Sequence, residues 1–255
     1  MRDFNVDGDL VGRPYQTVLE QSSVQKYPIG MKHDGWGKRW RYCRAIEDIT
    51  ISHRGTVNLA TAPWTGTDTG FSIGSGGGGA GTITGAAGDS KVLIASNQHI
   101  RTLDEFQGGI INAFPTATPN SIWEFRVIGN DLNHDGAAAL VFWAYIDPPL
   151  PVAMAAVPMD MQPSPYMNTG MGGTTGTSVV CVPGLVITTG YFYWGQTKGP
   201  CFVSGNLSTT ANVRQVGVNT AGGSIEHATV GKQSIGYIMA LNTGEDDSVV
   251  MLMLE

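Results

Sequence analysis

Apolar and polar residues alternate at a period of two along most of the chain, and no stretch carries the sustained stripe of an amphipathic helix. The clearest strand is IWEFRVIG, 122–129, where Trp123, Phe125 and Val127 point one way and Glu124 and Arg126 the other. In WRYCRA, Trp40 and Tyr42 alternate with Arg41 and Cys43, a half-buried strand leaving a hairpin at the turn HDGWG. TVNLAT, 56–61, is a further short alternating segment. KVLIAS, 91–96, is a continuous apolar run and predicts a strand buried on both faces. AALVFWAYID, 138–147, is ambiguous by period, but its Val, Phe, Trp and Tyr favour strand. From SVVCVPGLVITTGYFYWGQ onward come short strands separated by turn signals such as KGP, SGN, NTAGG and NTGEDD.

The segments between these strands set the organisation. Residues 1–26 are polar and weakly periodic, and predict an N-terminal arm that orders against a neighbouring subunit. An all-β domain follows over 27–255. Within it, 62–97 is a glycine-rich loop or insertion, with 70–91 as a flexible tip. The prolines of 147–178 predict a connector without long regular structure, its 147–165 part a second segment that orders against neighbours.

Composition narrows the role. The chain has 255 residues with 35 Gly and 13 Pro, and 14% are charged. An average soluble domain carries about 25% charged residues. A surface so poor in charge is polar-neutral or covered by a partner, which favours an assembly subunit. Net charge is −6, which opposes binding to a phosphate backbone. The basic stretch Lys32–Arg44, with its interleaved aromatics, therefore reads as a hairpin with solvated basic edges, and no direct nucleic-acid partner is expected.

Cys43, Cys181 and Cys201 are widely spaced, without a CxxC, and read as buried free thiols, one disulfide remaining open. The opening MRDFNVDGDL lacks the basic and then apolar regions of a signal peptide. No apolar run approaches the ~20 residues of a membrane span, so a protein made in the cytoplasm, with no membrane partner, is expected.

Candidate chemistry is thin. DLNHDG, 131–136, opens like a calcium loop with Asp131, Asn133 and Asp135, but its twelfth position is Phe142 where a bidentate Glu is needed. A tight Asx-rich turn explains the same residues. GSGGGGAG, 74–81, lacks the Lys-Ser/Thr pair of a phosphate loop, and Lys91 is too far away to serve. His33, His53, His99, His134 and His227 fall into no metal-binding spacing. A β-fold hydrolase of polysaccharides would need two carboxylates at a fixed separation, with Asp104, Glu105, Glu124 and Asp131 the midchain candidates. No cofactor, metal or catalytic residue is expected, and the chain does not read as an enzyme.

Four stretches in order resemble the capsid decoration (cement) proteins and related head proteins of tailed bacteriophages. They are YPIGMKHDGWGKRWRYCRA; TLDEFQGGIINAF with SIWEFRVIGND; DPPLPVAM with PSPYMN; and GYFYWGQTKGPCFV with the closing GYIMALNTGEDDSVVMLML. Together they run from about Tyr27 to Leu254. The aromatic-Trp-x-Gln-x-x-Gly-Pro signature is the most specific, and this chain departs in it with Gly195 and, just after it, Cys201.

The resemblance implies a β-barrel or β-sandwich (β-tulip-like) fold and a homotrimer on a shell of the major capsid protein. It also implies location at the capsid surface of the virion and stabilisation of the shell by binding across its subunits. Tyr191, Tyr193, Trp194 and Gln196 become candidate subunit or shell contacts, with intramolecular core the alternative for Tyr191 and Trp194. A second reading keeps the virion but makes the chain a low-copy tail, fibre or vertex protein, with Trp64 and Phe71 meeting a host-surface glycan.

Overall fold

The computed structural model describes residues 16–58, 81–96, 103–114, 122–131, 140–171, 179–205, 207, 214–218, 224–228, 233–241 and 247–255. Every regular element among them is a strand. They form two compact units, one from 1–63 with 168–255 and the other from 64–167, so the second is inserted in sequence into the first. The all-β expectation holds, and the stretch from 27 on divides into two units rather than one.

The inserted unit is a closed antiparallel barrel of β4 (Gly81–Gly85), β5 (Lys91–Ser96), β6 (Ile110–Ala113), β7 (Trp123–Asn130), β8 (Leu140–Asp147) and β9 (Met154–Gln162). The order around the wall is β4-β5-β8-β7-β6-β9. Its interior follows from period-two patterning: Phe125 and Val127 of β7, Phe142, Ala144 and Ile146 of β8, and Met159 and Met161 of β9 all point inward and are buried. Glu124, Arg126 and Ile128 stand outside. Closure leaves no free sheet edge.

Three expectations change here. KVLIAS is buried on one face: Val92 and Ile94 enter the core, while Leu93 and Ala95 are half-buried. A barrel wall has only one dry side, and these outer positions are left partly exposed. The glycine-rich 70–91 tip ends at Gly81, where TIT carries β4 into the wall with Ile83 fully buried. Residues 59–80 lie outside the described residues.

Prolines do not keep 147–178 irregular, since β9 runs for nine residues through Pro158. Pro158 sits where the ladder asks only for its carbonyl, which accepts from Phe114 N–H at 2.8 Å. A bulge beside it places Ala156 at φ +52, with its N–H donating to Thr84 Oγ1 at 3.0 Å.

The other unit is a ten-stranded antiparallel sheet. Its strands are β1 (Lys32–Gly35), β2 (Lys38–Arg44), β3 (Thr56–Asn58), β10 (Thr169–Met171), β11 (Val179–Pro183), β12 (Phe192–Ser204), β13 (Gln215–Val218), β14 (Ile225–His227), β15 (Ser234–Leu241) and β16 (Asp247–Met253). The predicted hairpin is β1–β2: Gly35 pairs with Lys38 around Trp36 (φ +53) and Gly37 (φ +72). Two consecutive positive φ angles make this the turn whose twist matches paired strands.

β12 is the hub. Its thirteen residues pair with β2 along Phe192–Lys198, with β11 at Gly195 and Gln196, and with β16 along Lys198–Ser204. Beyond it, Val203, Val216, Ile225, Ile235, Val250 and Leu252 form an apolar core on one face. No helix among the described residues is long and apolar enough to cross a membrane.

Candidate functional site

The segment from Gly190 to Pro200 enters the hub strand, and each residue has a distinct task. Gly190, at φ +81, makes the turn that starts it. Tyr193 and Trp194 are fully buried on opposite faces of β12. Tyr191 and Phe192 are half-buried. Tyr193 and Trp194 therefore belong to the core of the chain, and neither is open to a partner as a candidate contact must be.

On one face, Trp194 packs tilted against Tyr27 (ring centroids 5.2 Å) and edge-on to Tyr42 (5.0 Å), with His33 at 5.5 Å and Trp40 stacked on His33 at 5.4 Å. Such rings have a polar handle that burial must satisfy. Gln16 satisfies three of them. Its N–H donates to Tyr27 Oη at 3.3 Å, its carbonyl accepts from Trp194 Nε1 at 3.2 Å, and its Oε1 accepts from Tyr42 Oη at 2.8 Å. Gln16 Nε2 donates in turn to the carbonyls of Glu20 and Phe192, each at 3.0 Å.

Ser22 and Phe192 exchange two backbone bonds at 2.9 and 2.8 Å. So residues 16–26, expected to order against a neighbouring subunit, order against their own sheet. The polarity of the arm serves the aromatic cluster. Burial pushes the Tyr42 hydroxyl far above its ordinary range, outweighing the hydrogen bond it accepts from Lys26 N–H, so it stays a neutral donor.

On the other face lies a small polar layer. Tyr193 Oη is 2.8 Å from Thr169 Oγ1, which donates to the Arg44 carbonyl at 2.9 Å. Thr56 Oγ1 donates to the Cys181 carbonyl at 3.0 Å and lies 2.9 Å from Cys181 Sγ. Cys43 Sγ is 3.6 Å from Cys181 Sγ. Gly195 lies beneath the pair: a Cβ there would stand 2.2 Å from Cys181 Sγ and 2.6 Å from its Cβ. That contact accounts for a glycine in the middle of the signature.

Burial raises Cys43 well above the ordinary thiol range. Cys181 is desolvated too, but donors from Cys43, Thr56 and Tyr193 converge on its sulfur, so it is the thiol of the pair that favours negative charge. The third thiol, Cys201, is buried apart from these two and pushed up to about 12 by that burial.

Gln196 is buried as well. Its Nε2 faces three successive carbonyls, those of Lys198, Gly199 and Pro200, at 3.1, 3.2 and 2.9 Å, and so holds the bulge at Thr197. Gly199 (φ +91) lets this turn approach the β1–β2 tip, where a Cβ would meet the Gly37 carbonyl oxygen at 2.3 Å. Trp64 and Phe71 lie outside the described residues.

Remaining sequence candidates are scattered. Asp104 accepts from Asn130 N–H at 3.1 Å; Glu105 is buried; Glu124 projects outward from β7. Asp131 accepts from Tyr145 Oη at 3.2 Å and lies 3.8 Å from Lys91 Nζ, which sits over the Trp143 ring at 4.9 Å. Asn133 and Asp135, with His99 and His134, fall outside the described residues. Among the described residues, no three His, Cys, Asp or Glu side chains gather as a metal site requires. The basic hairpin is largely ion-paired: Arg39 Nε meets Asp34 at 2.8 Å, and Arg41 grips both Glu255 oxygens at 2.6 and 2.8 Å.

What sequence reasoning missed is the outer face of β12, β16 and β15. Cross-strand register aligns Pro200–Met251–Tyr237 in one row and Phe202–Val249–Ala240 in the next, with Met253 beside Lys198. Met239 projects from the bulge in β15. Phe202, Tyr237, Met239 and Met253 are 46, 43, 50 and 59% exposed. SVVMLM, 248–253, is apolar at every position after its serine, and such a run on an antiparallel strand signals that neither face is meant for water alone.

No protein-family model matches the chain, and no curated protein or solved structure is significantly similar to it.

Proposed function

We propose that the protein is a virion structural protein that decorates and stabilises the capsid shell of a tailed bacteriophage, binding as a homotrimer across subunits of the major capsid protein. The observation that carries the reading furthest is the exposed apolar face of β12, β16 and β15, the kind of surface that marks a protein–protein contact. It is rich in Met and aromatic residues, as the centres of such contacts are. The low charge and the ordered run of resembling motifs support the same reading.

Because the aromatic signature is buried, its likeness to the family speaks for a shared framework. The binding surface is then assigned to the outward face of the same strand. Shell stabilisation needs no turnover: weak contacts repeated by symmetry raise the cost of opening any one joint.

The test is the copy number of this chain relative to the major shell protein in purified particles, by quantitative mass spectrometry. A ratio near one to one is expected. A handful of copies moves the chain to a tail, fibre or vertex, and absence from particles overturns the virion reading. In the same particles, Phe202→Asp with Met253→Asp is expected to lower occupancy at least tenfold while leaving the unfolding free energy of the free protein within about 0.5 kcal/mol per change, as surface changes do.

A further inference from the structure

Cys43 and Cys181 come from strands far apart in sequence that both pair with β12, and their sulfurs stand 3.6 Å apart, wholly buried. The bare backbone of Gly195 lies beneath them. An S–S bond is about 2.05 Å long, so roughly 1.6 Å of approach separates the two thiols from a covalent link.

The local architecture can yield that distance. β11 pairs with β12 through only Val182 and Pro183, and its ladder with β3 shifts register between Val179 and Cys181. Cys181 thus sits at an irregularity, where a strand bends more readily than within a regular ladder.

We propose that Cys43 and Cys181 are a reversible oxidation site, at which hydrogen peroxide converts the two thiols into a disulfide that ties β2 to β11 across the hub strand. The Cys181 sulfur attacks one peroxide oxygen. The O–O bond breaks, and the departing hydroxide takes the thiol proton and leaves as water. Cys181 is then a sulfenic acid. The Cys43 sulfur attacks the Cys181 sulfur; the S–O bond breaks, and a second water leaves with the Cys43 proton. Two thiols lose two electrons in total, and the peroxide is reduced to two waters.

Thr56 and Tyr193 take part by position. Thr56 Oγ1 lies 2.9 Å and Tyr193 Oη 3.7 Å from Cys181 Sγ, and either hydroxyl, by turning its one proton away from the Cys181 carbonyl or Thr169 Oγ1, can donate to that sulfur as it gains negative charge. Cys201 packs in the separate apolar cluster of Val203 and Val250 and takes no part. The site does not depend on the virion reading.

The experiment treats the full-length protein with hydrogen peroxide, blocks remaining thiols under denaturing conditions, and maps digests by mass spectrometry without reduction. One Cys43–Cys181 cross-link per chain is expected, with Cys201 still alkylated and both thiols restored by dithiothreitol. Cys201→Ser should cross-link as the wild type does, whereas Cys43→Ser should leave Cys181 as a sulfenic acid trapped by dimedone. Cross-links to Cys201 instead, or Cys43 and Cys181 both fully alkylated after peroxide, would overturn the proposal. Cross-linking confined to chains first unfolded in denaturant would overturn it equally, because the native geometry would then play no part.

Discussion

The barrel and the sheet unit solve the problem of an interior in different ways. The barrel core is apolar from Ile83 to Met161, and among the described residues its buried polar side chains are Glu105, Asn130 and Ser164. The sheet unit buries Gln16, His33, Thr56, Thr169, Gln196 and Thr197 among tryptophans and tyrosines. In the barrel, any side chain of suitable volume facing inward will serve, because dispersion and the hydrophobic effect have no direction. Around β12, Tyr42 and Trp194 bring donors that meet particular acceptors on Gln16, so identity matters as well as volume.

The sharpest break of this comparison pairs one large residue from each unit. Phe125→Ala and Trp194→Ala should each cost about 3–5 kcal/mol, the usual range for an aromatic emptied from a core. The conservative changes should part company. Phe125→Leu keeps most of the volume and should cost under about 1.5 kcal/mol. Trp194→Phe loses volume and also strands the Gln16 carbonyl, adding about 1–3 kcal/mol. Denaturant unfolding followed by circular dichroism measures all four, and equal costs for the two conservative variants would erase the distinction.

Gly195→Ala probes the close approach. Its new Cβ would meet the Cys181 side chain at 2.2 Å, where neither atom belongs to a flexible tip. Overpacking of this kind costs about 1–3 kcal/mol. Gly88, with open space around its missing Cβ, is the contrast in the barrel unit, although its φ of +90 still penalises alanine. A Gly195→Ala protein as stable as the wild type would mean that β11 relaxes freely.

These differences explain what the sequence could and could not tell. Trp123, Phe125 and Val127 announced one inward face by alternation alone, and the structure agrees. The same logic failed for KVLIAS, because a run without polar interruptions does not say which face is dry. Gln16 was unreadable: a glutamine in a polar stretch looks solvated, and only the fold brings Tyr27, Tyr42 and Trp194 to it. The role of Gly195 was equally hidden, since it depends on sulfurs from two distant strands. Nor could period two reveal the exposed face of β16, where both sets of alternate residues are apolar.

Gln16→Ala carries the test to the arm. It leaves the backbone bonds of Gln16 in place and removes the amide that serves Tyr42 Oη and the Phe192 carbonyl. About 1–3 kcal/mol should be lost from the sheet unit, with faster hydrogen exchange at Ser22 and Phe192. If exchange there is unchanged, residues 16–26 are held by their backbone bonds alone.

The smallest expected effect is a dependence on pH. His33 is buried against Trp40 and Trp194, and that burial lowers its pKa below 6.5, while the charge of Asp34 pulls the other way less strongly. In the unfolded chain His33 takes up a proton near pH 6.5, as histidine ordinarily does. The folded chain takes it up only at lower pH. Between the two values the unfolded state holds more protons, so stability contributed by His33 is complete above about pH 6.5 and declines as pH falls toward the folded value. The unfolding midpoint of the sheet unit should therefore slope downward from pH 7 to 5, and His33→Phe should flatten that slope. His33 belongs to the sheet unit, so the barrel's midpoint should not respond to His33→Phe. A slope that survives His33→Phe would transfer the proton to another group and remove His33 from the set of buried polar residues whose partners define this unit.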